Sequence, residues 1–294
     1  MRRFILIPHL KIHNANAMSS PYSIGFPAMT AWLGAMHALQ RKLNNKGHDI
    51  ELTRLAVSCH DFNLQTHKGQ NDFVHSIVGT ANPLDKDGSR PAFIEEARCH
   101  LDVSILIECQ NIDPDEKETL LDDIQNSICS MKFASGDLLA VKACELLTFD
   151  EEGQKDQELK SILNKLMLGH VLIERRDLVI QGMQEGQDAL DVILDYLKVT
   201  HNSQIDENGK VTWLSTRKEK GWLVPIAVGF QGISELGIAK NQRDADTPHR
   251  FAEAVLTLGE FVMPYRIESI DQLLWQYHVD LENNLYLCQN LTTN

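Results

Sequence analysis

Late in the stretch 93–108, side chains alternate in character: Leu101, Val103, Ile105 and Ile107 on one parity, Asp102, Ser104, Leu106 and Glu108 on the other. A period of two sends each set to its own face of a β-strand, whereas a helix would gather its apolar residues into one stripe. A strand also needs neighbours to take up its backbone hydrogen bonds. Residues 3–13 (Phe4, Ile5, Leu6, Ile7, Leu10, Ile12) read as a buried strand with Pro8 at an edge or bulge, and residues 50–62 as another. Between these two, Met29, Trp32, Leu33, Met36, Leu39 and Leu43 recur at helical spacing, with Pro27 in the first turn and Asn44-Asn45-Lys46-Gly47 closing the segment. Asp113-Pro114-Asp115-Glu116 predicts a second helix with a capping Asp, and Leu120, Leu121, Ile124 and Ile128 form its stripe. An apolar stretch of undecided state spans 136–149. Residues 3–149 therefore read β-α-β-β-α-β, the order of the ferredoxin-like arrangement, an antiparallel four-stranded sheet backed by two helices.

A polar seam, Asp150-Glu151-Glu152-Gly153-Gln154-Lys155-Asp156, divides the chain into residues 1–150 and 151–294. Beyond it the patterns predict helices at 156–168 and 185–199, a polar loop at 201–210 and a strand or extended segment at 221–230. A further helix is expected from Thr247-Pro248 with Phe251, Val255 and Leu258 on one face, and a last one over 269–278. The fold class is α+β with a helical C-terminal part.

The 294 residues contain no apolar run of 18 or more, so no membrane-spanning helix is expected. Pro8, His9 and Lys11 cut the first apolar run short of a signal peptide. Six cysteines without paired spacing fit reduced thiols, and the chain reads as cytoplasmic. The first 48 residues hold six Lys/Arg and no Asp or Glu, although the whole chain sums to −13, so the remainder carries −19. Overall acidity opposes nucleic-acid binding in its simplest form. Charge acts locally, however, within a screening length of roughly 8–10 Å, and the cationic opening is a candidate anion surface.

Within that opening, Asn14-Ala-Asn16-Ala-Met-Ser19-Ser20-Pro21 is the most distinctive polar segment. Asn amides donate and accept, Ser hydroxyls bond phosphate or a 2′-OH, and Tyr22, Phe26 and Trp32 offer a stacking surface nearby. The same residues also suit a turn that satisfies its own backbone, and both readings stand. The dipeptides Cys59-His60 and Cys99-His100 each give at most one ligand to one face of a strand, so no metal and no cofactor is expected. No GxSxG, P-loop or GxGxxG motif is present.

The run Asn14–Pro21, followed by Gly25-Phe-Pro-Ala-Met-Thr-Ala-Trp-Leu-Gly-Ala-Met-His-Ala-Leu-Gln-Arg41, closely resembles the Csy-two family, the Cas-five-type subunit of type I-F CRISPR surveillance complexes. The resemblance continues in Asn82-Pro-Leu-Asp-Lys-Asp-Gly-Ser89, Glu95-Glu-Ala-Arg98, His100-Leu-Asp-Val-Ser104, Gly221-Trp-Leu-Val-Pro-Ile226, Asn241–Phe251, Leu258-Gly-Glu260 and Asp271-Gln-Leu-Leu-Trp275. It implies a RAMP-type ferredoxin/RRM-like domain with an inserted thumb and no catalytic activity. It also implies partners: the 5′ handle of the CRISPR RNA, the large subunit as a heterodimer, the adjacent backbone subunit, and target DNA near the foot of the complex. RNA contacts are expected from Asn14, Asn16, Ser19 and Ser20 with Arg41 or Lys42, and in second line from Arg98, Arg243 and Arg250. The competing reading is a metal-independent endoribonuclease using a His such as His13 or His37. A third is an adaptor that touches only protein.

Overall fold

The computed structural model describes residues 1–78, 84–90, 96–113, 116–150, 155–205, 207–240, 242, 244 and 246–290. The protein is α+β, built on one large antiparallel sheet. Its elements are β1 (Arg2–Asn16), α1 (Met29–Asn44), β2 (Glu51–Leu64), β3 (Arg98–Gln110), α2 (Lys117–Cys129), β4 (Lys132–Phe133), β5 (Gly136–Ala140) and β6 (Glu145–Phe149). After them come α3 (Lys155–Leu166), β7 (His170–Glu174), α4 (Arg176–Gln184), α5 (Ala189–Leu197), β8 (Trp222–Gly232), β9 (Ala252–Val262), β10 (Trp275–Asp280) and β11 (Leu285–Asn290). The strands run β7-β9-β8-β11-β10-β2-β3-β1-β5-β4, with β6 also on β1. β7 additionally pairs with β2 through His170↔Cys59 and Val171↔Ser58, so six strands close into a ring.

The two parities of β3 are both buried, which is why its second set contains Leu106 and an enclosed Glu108. Ile5, Ile7, Leu101, Val103, Ile105 and Ile107 pack under α1 and α2 against Trp32, Leu33, Met36, Leu39, Ile124 and Ile128. On the opposite face Phe4, Leu6, Ala56 and Leu106 meet α3 (Leu159, Ile162, Leu163, Leu166) and the segment Ile267–Leu274. Glu108, 6% exposed, is held by Arg2 Nε at 2.6 Å and by Arg54; both arginines also reach Asp271, at 3.0 and 2.8 Å. Two of the sheet-facing cations, one of them from the opening, are thus structural and tie the strands to the segment around Asp271.

Several expectations give way. Pro27 precedes the helix, which starts at Met29 after Ala28 with no side-chain cap. α2 starts at Lys117 after Glu116, whose side chain makes no capping bond; Pro114 and Asp115 of the expected cap lie outside the described residues. The stretch 136–149 resolves into two strands, both on β1. The polar loop at 201–210 is a hairpin, Thr200–Ile205 against Val211–Thr216, with His201 Nδ1 and Ser215 Oγ 2.8 Å apart across it.

The helical C-terminal part is the largest correction. Thr247-Pro248 starts no helix: residues 252–262 are β9, paired along β8 from Trp222↔Phe261 to Gly232↔Ala252. Phe251 is 71% exposed while Leu258 is fully buried, so the supposed stripe does not share a face. Residues 269–278 form one 3₁₀ turn, Ile270–Gln272, closed by a Ser269/Gln272 capping box, and then β10. Sheet hydrogen bonds from a distant strand outweigh a local cap-then-Pro signal worth about 1 kcal/mol.

Candidate functional site

β1 leaves the sheet at Asn16, and its last residues are bent by Asn14 at φ +56°. A short hairpin follows, Met18–Ser20 against Ser23–Ile24. Asn16 closes it: Oδ1 accepts from Met18 N and Nδ2 donates to Met18 O, both at 3.1 Å. Ser19 and Ser20 hydroxyls both reach Ser23 Oγ, at 3.0 and 2.9 Å. On the other side stands the β4–β5 turn, where Ala134 and Ser135 take φ values of +47° and +66°. This turn lies close to β1: Asn16 N donates to Ala134 O at 2.8 Å. Gly136 permits the approach, because a Cβ there would sit 2.8 Å from His13 O.

Between the hairpin, this turn and α1 runs a cleft of about 620 Å³. Asn16 and Ser19 stand on its wall together with Thr30, Gly34 and Lys42 of α1 and with Ser130, Lys132 and Ser135. Small residues at helical spacing on α1 (Ala31, Gly34, Ala35, Ala38) leave room for it. No Asp, Glu or His lines the cleft among the described residues. Lys42 Nζ is 3.3 Å from Ser130 Oγ, and Lys132 pairs with Asp137 at 2.8 Å. The Lys132 hydrogen bond, and then its charge, holds the Asp137 carboxyl below its ordinary value. α1 carries no acidic residue in its first turn, so the positive end of its dipole is uncompensated there.

The model of the family described as CRISPR-associated protein (Cas_Csy2) matches residues 5–288. The relative "CRISPR-associated protein Csy2" of Pseudomonas aeruginosa (strain UCBPP-PA14) is 33% identical over 309 aligned positions, covering 96% of this chain and 93% of its own length. The chain belongs to the Csy2 family. The family match runs from β1 to β11, so every wall of the cleft in this Csy2-family chain lies inside it.

Of the residues expected to touch RNA, Asn16, Ser19 and Lys42 meet in the cleft, and the other described ones do not line it. Asn14 is exposed, with its backbone N donating to His100 Nδ1 at 3.1 Å. Ser20 is buried and lines a separate hollow of about 700 Å³ between the hairpin, Phe230 and Ala252–Ala254. Arg41 is exposed in the last turn of α1. Arg98 is half-buried, paired with Glu96 and 3.5 Å from Asn14 O. Arg250 bonds Asn284 and lines a distinct cleft of about 390 Å³ with Ile238, His249 and Phe251. Arg243 lies outside the described residues.

Phe26 and Trp32 are core residues stacked on each other at 5.6 Å, so that of the three aromatics Tyr22, 65% exposed, is the one that faces solvent. The opening's charge is partly engaged elsewhere, since Arg3 Nη1 donates to Ile112 O at 2.6 Å and Lys46 pairs with Asp123 at 2.6 Å. Sequence reasoning missed Thr30, Gly34, Ser130, Lys132 and Ser135. The small-residue spacing on α1 was a usable signal for the helix side, whereas the β4–β5 side is set only by folding.

Proposed function

We propose that the chain is a non-catalytic subunit of a type I-F CRISPR surveillance complex that holds the 5′ handle of the CRISPR RNA along α1. The observation that carries this is the α1 cleft, whose wall gathers Asn16, Ser19, Lys42, Ser130 and Lys132 with no carboxylate among the described residues. Cations and hydroxyls suit phosphates and 2′-OH groups, and an unscreened helix N-terminus adds positive potential. Binding is favoured over cleavage because neither His13 nor His37 lines the cleft: His13 stacks on His100 at 4.2 Å, and His37 sits edge-on to Tyr277.

Residues 1–150 fit a RAMP-type ferredoxin/RRM-like domain. In support, β2-β3-β1-β5 is the strand order that topology requires, with α1 and α2 on one face. Within 151–294, the exposed hairpin Thr200–Thr216 is the element that fits a thumb. Ile233, Leu236, Ile238 and Phe251 form an exposed apolar surface suited to the large subunit, on a loop rather than on helices. The backbone subunit and target DNA complete the proposed partners.

The test is handle-RNA affinity in the assembled complex for Lys42→Ala/Lys132→Ala. Affinity should fall about tenfold or more, and the slope of log K against log salt should flatten by about 0.7 for each phosphate no longer neutralised. Unchanged affinity and slope would remove the cleft assignment. Discrete cleavage of repeat RNA by the purified protein in EDTA would replace it with the ribonuclease reading. RNA that crosslinks nowhere in residues 9–42 would favour the protein-only adaptor.

A further inference from the structure

On the sheet face opposite α1 and α2, two β-bulges confront each other across β3. β1 shifts register against β3 between Ile7 and Leu10, and β2 shifts between Cys59 and Asp61. The two shifts flank one residue of β3, since Leu10, just after the first, and Cys59, just before the second, both pair with Val103. A bulge re-aims the side chain it displaces. Here the displaced residues are His9 and His60, the first at φ +52°, a conformation that side-chain-bearing residues seldom adopt.

The two imidazoles converge on β3. His9 Nδ1 lies 3.0 Å from Asp102 Oδ1, His60 Nε2 lies 2.7 Å from Ser104 Oγ, and His9 N donates to the same hydroxyl at 3.1 Å. The rings stack with centroids 4.2 Å apart and an interplanar angle of 22°. One ligand atom from each of His9, His60 and Asp102 lies within 4.8 Å of the other two, in a half-buried setting. Gly169 makes room behind His60: a Cβ at that position would stand 2.9 Å from Nδ1. The ring is thereby seated with Nε2 toward β3.

We infer that His9, His60 and Asp102 form a binding site for a divalent transition-metal cation of the zinc type. Zinc takes nitrogen and carboxylate oxygen at about 2.0–2.2 Å, so adjacent ligand atoms stand roughly 3–3.5 Å apart. The His9–Asp102 pair already has that separation, and a small rotation of His60 supplies the third donor. Two imidazoles and one carboxylate favour zinc, cobalt or nickel over magnesium and calcium, which prefer all-oxygen shells. Ser104 Oγ, fully buried, accepts from His9 N and so fixes the bulge that carries His9, while His60 Nε2, 2.7 Å from it, exchanges that contact for the metal. Three protein donors leave coordination open to water or to a ligand oxygen. The spacing of Cys-His dipeptides gave no hint of this site, because each ligand comes from a different strand.

The experiment uses untagged, chelator-treated full-length protein titrated calorimetrically with Zn²⁺, and with Co²⁺ followed by absorption. One equivalent of Zn²⁺ should bind. His60→Ala and Asp102→Asn should each weaken it by more than about 100-fold, beyond the 10–100-fold range typical of losing a residue that only supports a ligand. Ser104→Ala should weaken it about tenfold. His13→Ala/His100→Ala removes the neighbouring stacked histidine pair and should leave binding intact. X-ray absorption of the wild-type zinc complex should report two imidazole ligands, which keeps the test independent of how the variants fold. Absence of saturable uptake by the wild type, retention of affinity in His9→Ala/His60→Ala, or a zinc shell without imidazole would each overturn the site.

Discussion

Glu174 is the residue whose ionisation is most at odds with its surroundings. It is 4% exposed, and its backbone and carboxylate exchange hydrogen bonds with Asn290: Glu174 N donates to Asn290 Oδ1 at 2.6 Å, and Asn290 N to Glu174 Oε2 at 3.0 Å. Burial pushes its carboxyl up from 4.5 to about 7, against the opposing pull of Arg176 at 3.8 Å. A folded value above the unfolded one means that its stabilising contribution is complete below pH 4.5 and is lost as pH rises through about 7. Glu174→Gln keeps an acceptor for Asn290 N without the charge. It should flatten the stability profile between those pH values and raise stability at pH 8 by up to about 3 kcal/mol, read from urea melts at a series of pH values. Glu108 shows the opposite balance. Burial pushes it up, but hydrogen bonds from Arg54 and Arg2 and their charges prevail and hold it below 4.5. Its contribution is therefore present above that value and lost as pH falls through its lowered folded pKa.

Among the elements, α1 is both a core helix and a wall of the cleft. Met29, Trp32, Leu33, Met36, Leu39 and Leu43 are buried, while Gly34 faces open space where a Cβ would meet nothing within 4 Å. Gly34→Ala should stabilise the protein by roughly 0.5–1 kcal/mol through helix propensity, visible as a higher melting temperature. Gly34→Leu fills the cleft, so handle-RNA affinity should drop while the melting temperature stays at or above wild type. Asp188 caps α5 by accepting from Leu190 N at 2.9 Å, a cap not read from the sequence, which predicts the helix over 185–199. Thr247-Pro248 carries an equally good local signal, yet the chain after it pairs with β8.

For the whole molecule, the polar seam at 150–156 does not interrupt the sheet. β7, β8, β9, β10 and β11 from the second half join β2 from the first, and the ring closes through β7. Phe4, Leu6, Ala56, Leu106 and Phe149 are covered by α3 and by residues 262–274. A fragment of residues 1–150 would expose that apolar face and strip Arg2 and Arg54, the partners of Glu108, of Asp271. Such a fragment should aggregate or bind a hydrophobic dye, and the full chain should unfold in one calorimetric transition. Two separate transitions in the full chain would show that the halves fold independently.

Local pattern by itself determined the framework: the period-two strands at 3–13, 50–62 and within 93–108, the helical stripe of α1, and the family through ordered blocks of residues. These features depend on neighbours a few positions away, where backbone geometry dictates which side chains share a face. Tertiary structure alone decided the rest. It turned residues 252–262, 275–280 and 285–290 into strands, because their hydrogen-bond partners lie on β8, on β2 and on one another. It spent Arg2 and Arg3 on internal partners, buried Phe26 and Trp32, and brought Lys132 into one cleft with Asn16. It also set His9, His60 and Asp102 side by side, since a site shared by three strands leaves no spacing in sequence to read.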